Sequence, residues 1–261
     1  MSVNSNQMSY MNNKYVFWSS KRHLFYDTMQ GGKAQNDVAC DAEEQTKVVF
    51  GEGEGNEMKW NTEQLKWTRE PENYLITPER VEITTKPHTD LWQRTYYHFR
   101  NDNAPVLQIS TDETYFSFTV KTEFDSKHRF DQCGIVMYLD SENWLKASIE
   151  YENEKIQHLG SVVTNHGYSD WATTAIDASV KSMWYRFSRR EDDYCIECSE
   201  NGVDYSQMRV CHMWEGTGTI RFGIYACSPE DSSFKAVFTE MELTDCKWPA
   251  HDGQAPDEDE Q

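Results

Sequence analysis

Between residues 131 and 171 apolar and polar side chains alternate in three consecutive runs joined by short polar turns. A period of two sends successive side chains to opposite faces, the signature of a β-strand with one face on a core. Similar runs occur at 74–76, 80–85, 96–99, 115–124, 133–140, 144–151, 156–164, 183–190, 194–199, 207–213, 220–226 and 234–243. Few segments show helical spacing. So many short strands at close intervals predict an all-β protein built as two packed antiparallel sheets. Asn201-Gly202 marks a tight turn between two of them.

The alternation also assigns faces. In 115–124, Phe116, Phe118 and Val120 point one way, and Ser117, Thr119 and Lys121 the other. In 144–151, Leu145, Ala147 and Ile149 form an apolar side, while Trp144, Lys146, Ser148 and Glu150 form a mixed one. The register of the next strand depends on the hairpin loop. A three-residue loop turns Leu159, Ser161 and Val163 to the core and sets His158 opposite Glu150; a two-residue loop slips this by one and flips His158. The first register keeps one side apolar and is preferred.

Composition changes the picture in three ways. Aromatics make up 13% of the 261 residues, and such large side chains supply core area that a hydrophobic content of 38% leaves short. The texture divides the chain into an N-terminal extension with an acidic, Gly-containing linker (1–55), a β-sandwich domain (56–248) and an acidic tail (249–261). The net charge of −19 argues against nucleic acid and against an anionic membrane surface. The first residues lack the pattern of a secretory signal, no apolar run is long enough to span a membrane, and seven cysteines are an odd number. Reduced thiols and a cytoplasmic location are expected. Cys195 and Cys198 are spaced as in redox or zinc motifs, but an offset of three on a strand points them to opposite faces and no second pair accompanies them. No metal site is expected.

Candidate chemistry centres on the mixed face. Trp144 or Trp92 offers a flat apolar plate for a sugar ring, and Lys146, Glu150 and Arg186 offer directional hydrogen bonds. Arg186 alternates in phase with Trp184 and Ser188. A solvated sheet with ordinary cross-strand ion pairs has the same appearance. Glycoside hydrolysis in the retaining mode needs two carboxyls ~5–5.5 Å apart. Glu152 and Glu154 share the spacing of Glu150 but fall in the expected turn, so no catalytic residue is assigned. The run 166–171 reads as a polar loop, in which Tyr168, Asp170 and Trp171 line a groove rim or Trp171 anchors the turn to the core. Glycine-rich phosphate loops are absent.

Several segments carry a family resemblance: Thr89-Asp90-Leu91-Trp92-Gln93-Arg94-Thr95, Asp131-Gln132-Cys133-Gly134-Ile135-Val136 and Asn143-Trp144-Leu145-Lys146-Ala147-Ser148-Ile149-Glu150. Gln157-His158-Leu159, Tyr168-Ser169-Asp170-Trp171, Trp184-Tyr185-Arg186 and Ala226-Cys227-Ser228-Pro229 continue it. Through them, residues of about 58 to 246 resemble the regulation-of-enolase protein family, with a concanavalin A-like lectin/glucanase fold. The resemblance implies a jelly-roll β-sandwich, and in lectin and glucanase relatives the concave sheet holds the sugar. No ExDxxE-type catalytic run like that of the glucanases is present. Taken with the faces above, the expected ligand set is Trp92, Arg94, Trp144, Lys146, Glu150, His158, Asp170, Trp171 and Arg186. The expected protein is a cytoplasmic, non-catalytic binding or regulatory protein for a small sugar or polar metabolite. Two alternatives stay open: a carbohydrate-active enzyme using Glu150, and an interaction module acting on a metabolic enzyme, for which the family label suggests enolase.

Overall fold

The computed structural model describes residues 58–59 and 62–250. The expected extension at 1–55 and nearly all of the expected tail at 249–261 lie outside the described residues.

Seventeen strands and a single 3-10 turn at Thr62–Gln64 make up the described chain. One sheet has eight strands. Its spatial order is β15 (Ser206–His212), β14 (Asp193–Ser199), β13 (Ser182–Arg190), β8 (Tyr115–Phe124), β17 (Lys235–Thr244), β4 (Arg80–Thr84) and β3 (Asn73–Ile76), and β1 (Met58–Lys59) also pairs with β17. The other has seven: β12 (Tyr168–Asp177), β11 (Ile156–Asn165), β10 (Asn143–Tyr151), β9 (Gln132–Asp140), β16 (Ile220–Cys227), β7 (Val106–Thr111) and β2 (Lys66–Arg69). A short hairpin, β5 (Leu91–Gln93) and β6 (Arg100–Asp102), stands apart. The chain crosses between the sheets at β1–β2–β3, from β4 to β7, at β7–β8–β9, at β12–β13 and at β15–β16–β17. The all-β sandwich is as expected.

The core lies between the two sheets. Phe116, Phe118 and Val120 of β8 face Leu145, Ala147 and Ile149 of β10 in one continuous apolar cluster, with Phe187, Phe222 and Phe238. Burial of such side chains, at ~25 cal/mol per Å² of apolar surface removed from water, is the main stabilising contribution. The β10–β11 register pairs Glu150 with His158 and Ala147 with Ser161, the preferred alternative. The connecting loop is longer than three residues, because Tyr151 pairs with Gln157 and Asn153 caps the turn through Lys155 and Ile156 amides.

Two local expectations are corrected. Residues 96–99 form no strand; they reverse the chain between β5 and β6, with Tyr96 and His98 at φ of 63° and 60°. Residues 166–171 are not an extended loop. His166 and Gly167 (φ 49° and 75°) make the turn, and β12 begins at Tyr168. A pair of left-handed residues fits a two-residue hairpin, whose twist matches that of the flanking strands.

The seven-stranded sheet is covered on its outer face as well. Leu91, Trp92 and Ala104 from the segment carrying β5 and β6 pack on Val136, Tyr138, Trp144, Val162, Tyr225 and Cys227 to form a second apolar cluster. That cover is incomplete, and a cavity opens beside it.

Candidate ligand-binding site

The uncovered part of the outer face is a cavity of about 230 Å³. Lys146 and Glu150 form its floor on β10, Gln132 enters from β9 and Val162 from β11. All point outward because the pairings Lys146↔Val136, Lys146↔Val162 and Glu150↔Gln132 put them on one side of the pleat. Trp92, Tyr97, Phe99, Phe130 and Trp171 wall the cavity, with Asp90, Pro229 and Glu230 at its margins. The rings touch in sequence: Trp92 lies edge-on to Trp171 (6.2 Å between centroids) and to Tyr97 (5.5 Å), and Tyr97 lies against Phe99 (5.7 Å).

Lys146 is buried but well partnered. Its ammonium donates to Gln132 Oε1 at 2.8 Å, lies 3.5 Å from Asp90 Oδ1 and sits over the rings of Tyr225 and Trp144 at 5.5 and 5.9 Å. Burial by itself lowers the pKa of an amine; here the Asp90 carboxylate, with Glu150 beside it, outweighs burial, so the pKa is raised and the group is cationic. Glu150 is different. It is 6% exposed, and no hydrogen bond or close ion pair from a described residue reaches its carboxyl. Desolvation pushes its pKa up to about 7 despite the opposing pull of Lys146, and Asp90 adds to the rise. A carboxyl left unpartnered on a cavity floor is a vacant hydrogen-bonding position.

The aromatic wall depends on a tightly held cover. Gln93 N donates to Ser169 Oγ (3.0 Å) and Gln93 Nε2 to the Ser141 carbonyl (2.7 Å), fastening β5 to the sheet edge. Arg94 donates to the Gly167 carbonyl (2.6 Å) and pairs with Glu142 (3.1 Å). His88, Arg94, Tyr96, His98 and Phe130 all have positive φ, between 56° and 65°. Left-handed backbone at non-glycine residues is disfavoured and persists where surrounding contacts enforce it, commonly around binding sites. Of these, Phe130 lines the cavity and the other four lie in or just before the β5–β6 cover; His166, Glu191 and Glu240 are left-handed elsewhere.

Of the expected ligand set, the fold brings Trp92, Lys146, Glu150 and Trp171 together in the cavity. Trp144 shares their face but is fully buried beneath them, its Nε1 without a partner. His158 stands beside Glu150 across the β10–β11 pair, half-buried, and outside the cavity lining. Arg94 clamps the cover instead of facing the ligand space. Asp170 alternates away from Trp171, pairs with Arg209 at 2.8 Å and lines an adjoining cleft shared by Trp92, Tyr97 and Trp171. Arg186 is remote: it belongs to β13 in the other sheet, where it forms a bidentate pair with Glu197 (2.7 and 2.8 Å) and covers the Tyr205 ring. Alternation had given it the right phase on its own strand but says nothing about which sheet the strand joins.

Asp90, Tyr97, Phe99, Phe130, Gln132 and Glu230 were missed. Asp90 and Gln132 sit within the family-like segments, which was the available signal; Tyr97 and Phe99 were hidden in the supposed strand. Among the described residues, one group brings metal-type donors close together: Asp192 in the β13–β14 turn, Asp193 at the start of β14 and His212 at the end of β15. It is remote from the cavity lining, and Asp193 already holds His212 Nδ1 at 2.8 Å. Cys195 and Cys198 are free, on opposite faces of β14, and burial holds their pKa values up at about 12 and about 11.

The chain is 30% identical over 186 residues, 70% of its length and 92% of the relative's, to "Regulation of enolase protein 1" of Saccharomyces cerevisiae. A crystal structure of a functionally unknown protein from Saccharomyces cerevisiae superposes with a TM-score of 0.65 at 28% identity, covering 70% of this chain and 97% of that one. The GH43 protein BlXynB of Bacillus licheniformis (mutant K247S) gives a TM-score of 0.56 at 16% identity, over 77% of this chain and 40% of that one. At that identity the likeness is one of fold alone, a β-sandwich. No helix among the described residues is long and apolar enough to cross a membrane. The family described as "Protein of unknown function (DUF1349)" matches residues 67–246, well over half of the sequence, and the chain belongs to that family.

Proposed function

We propose that this protein is a non-catalytic binding or regulatory protein whose seven-stranded sheet takes a small polar ligand with an apolar face, a single sugar ring being the model case. The observation that carries this reading is Glu150: a buried carboxyl without a partner, aimed into a cavity walled by aromatic rings. Sites for small molecules combine mostly apolar walls with a few placed polar groups, and this one has that make-up. At about 230 Å³ it falls below the ~300–1,000 Å³ usual for drug-sized ligands, which favours one ring over an oligosaccharide. The name of the yeast relative supports a metabolic enzyme, enolase among the candidates, as the partner that the bound or empty protein regulates.

The test is a thermal-shift series with monosaccharides, polyols and glycolytic intermediates. A ligand at ~100 times its dissociation constant adds about 2.7 kcal/mol to stability, which moves the melting temperature by several degrees. A stabilising compound whose effect disappears in both Glu150→Gln and Trp171→Ala supports the reading. No shift with any of them removes it.

A second reading, acid–base catalysis on a bound carbohydrate, is favoured by one observation. Two carboxyls of unlike environment line the same cavity: Glu150, protonated in part near neutral pH, and Asp90, ion-paired to Lys146. Such a division is how one site runs acid and base roles together. Product formation from a stabilising glycoside, lost in Glu150→Gln, is the result that this reading requires.

A further inference from the structure

The charge in and around the cavity suggests which polar ligand it takes. Lys146 is accounted for by Asp90, by Gln132 and by the two rings beneath it, so that pair contributes little net field to the open space. Two acids remain, Glu150 on the floor and Glu230 exposed at the margin. Among the described residues no other cation lines the cavity. The neighbouring Arg129 is engaged with Glu152 at 3.1 Å and lies over the Phe130 ring, and Arg94 is bound to Glu142 and Gly167. Five aromatic rings and two uncommitted carboxyls around one small space form an environment that attracts a cation through the ring faces as well as through charge.

We infer that the ligand carries a positive charge, a protonated amine or a quaternary ammonium on a small molecule of one-ring size, held by Glu150 and Glu230 among the rings of Trp92, Tyr97, Phe99 and Trp171. This rests on the cavity being the ligand site, as proposed above, and adds the chemical class. A neutral sugar would also fill the space, but it leaves the carboxylate of Glu150 with the desolvation that a cation offsets. The groups facing Glu150 are Lys146 on its own strand, His158 on β11, Gln132 on β9 with Asp131 just before it, Tyr225 on β16, Tyr185 from β13 of the other sheet, and Asp90 and Glu230 from the cover and the chain beyond β16; Cys227 lies near Lys146, and burial keeps both phenols and this thiol protonated. Asp131 is occupied by Ser232 Oγ at 2.6 Å and by the His128 amide. Glu150 is therefore the acid that a cation in this space would strip of its proton.

That exchange makes the inference testable apart from the site itself. Piperidine, fully protonated at pH 7, and choline as cationic probes, and glucose as the neutral one, are titrated into the full-length protein by calorimetry at pH 7 in two buffers of unlike ionisation enthalpy. The expected result is binding of at least one cationic probe about tenfold tighter than glucose, with net release of a fraction of a proton per site. Glu150→Gln is expected to abolish the proton release and most of the preference. Glu230→Gln, at an exposed position that threatens folding less, is expected to weaken the preference and leave proton release in place. Glucose binding as tightly as both cationic probes, or cationic binding without proton release, overturns this inference while the cavity remains a ligand site. Silence from all three probes, in a protein shown to be folded by its melting transition, overturns this inference, and silence across the thermal-shift series as well overturns both.

Discussion

The Lys146 ammonium donates to the side-chain oxygen of Gln132 at 2.8 Å across the β9–β10 pair, with both residues buried on the outer face of the sheet. The Tyr225 hydroxyl meets that oxygen at 2.9 Å and also bonds Ser148 Oγ at 2.8 Å. One amide oxygen thus serves a cation and a phenol from the two strands flanking it. Gln132→Leu keeps the shape but deprives both donors. A buried donor left unsatisfied costs ~1–3 kcal/mol, more when charged. Chemical denaturation is expected to show a loss in that range, with an unchanged denaturant slope.

Glu150 makes stability depend on pH in a defined direction. Its folded pKa, about 7, lies above its ordinary carboxylate value, so folding favours the protonated form. The contribution is fully favourable below the unfolded pKa, is lost as pH rises toward 7, and stays lost above. Glu150→Gln is expected to be more stable than the wild type at pH 8 and to lose that advantage by pH 4. Melting temperatures of the two proteins across this range measure the crossover; parallel curves would show that Glu150 is not desolvated as described.

Gly134 of β9 lies opposite Ser148 of β10, in phase with the cavity-facing Gln132. A Cβ there would run into the Ala147 carbonyl oxygen, a backbone atom that cannot swing aside. Gly134→Ala is therefore expected to destabilise by more than the ~1–3 kcal/mol usual for overpacking, since it breaks strand pairing beneath Lys146 as well. Reduced yield of folded protein and a melting temperature lower by many degrees are the expected outcome. At Gly218 a Cβ would meet nothing, but φ is 71°, so alanine is expected to be tolerated at a cost set by backbone strain alone.

Arg189 is 1% exposed, and its guanidinium donates to four backbone carbonyls: Glu191 (2.5 Å), Glu113 (2.9 Å), Gly216 (3.1 Å) and Gly218 (3.1 Å). It ties the turns at one end of the sandwich together without an acidic partner in those bonds. Arg189→Met preserves the stem and takes the donor from the Glu191, Glu113 and Gly218 carbonyls, while the Gly216 carbonyl keeps the Tyr194 hydroxyl at 2.7 Å. Several unsatisfied acceptors at ~1–3 kcal/mol each place the loss among the largest that single substitutions produce. Lysine, a single point donor without the fork, is expected to recover only part of it.

Much of the fold was legible from local pattern because the signal is itself local. A strand such as β8, with Phe116, Phe118 and Val120 turned inward and polar residues between, declares both its conformation and its buried face. The strands that escaped notice lack the pattern for physical reasons. β7 is buried on both sides at Val106, Leu107 and Ile109, so nothing alternates, and β12 is an exposed edge in which few positions need be apolar. The 96–99 error has the same root: Tyr97 and Phe99 are apolar because they wall a cavity.

The sequence by itself determined the class of fold, the shared face of Trp144, Lys146 and Glu150, and the Glu150–His158 register, since each follows from a period of two along one or two adjacent strands. Tertiary structure alone decided which strands share a sheet, and so removed Arg186 from the site and brought Asp90 onto Lys146 from 56 positions away in the chain. It also decided the electrostatics. Lys146 remains charged and Glu150 is held near neutrality because burial and partner distances, set by the cover at 86–104, are properties of the packed molecule and not of either residue's neighbours in sequence.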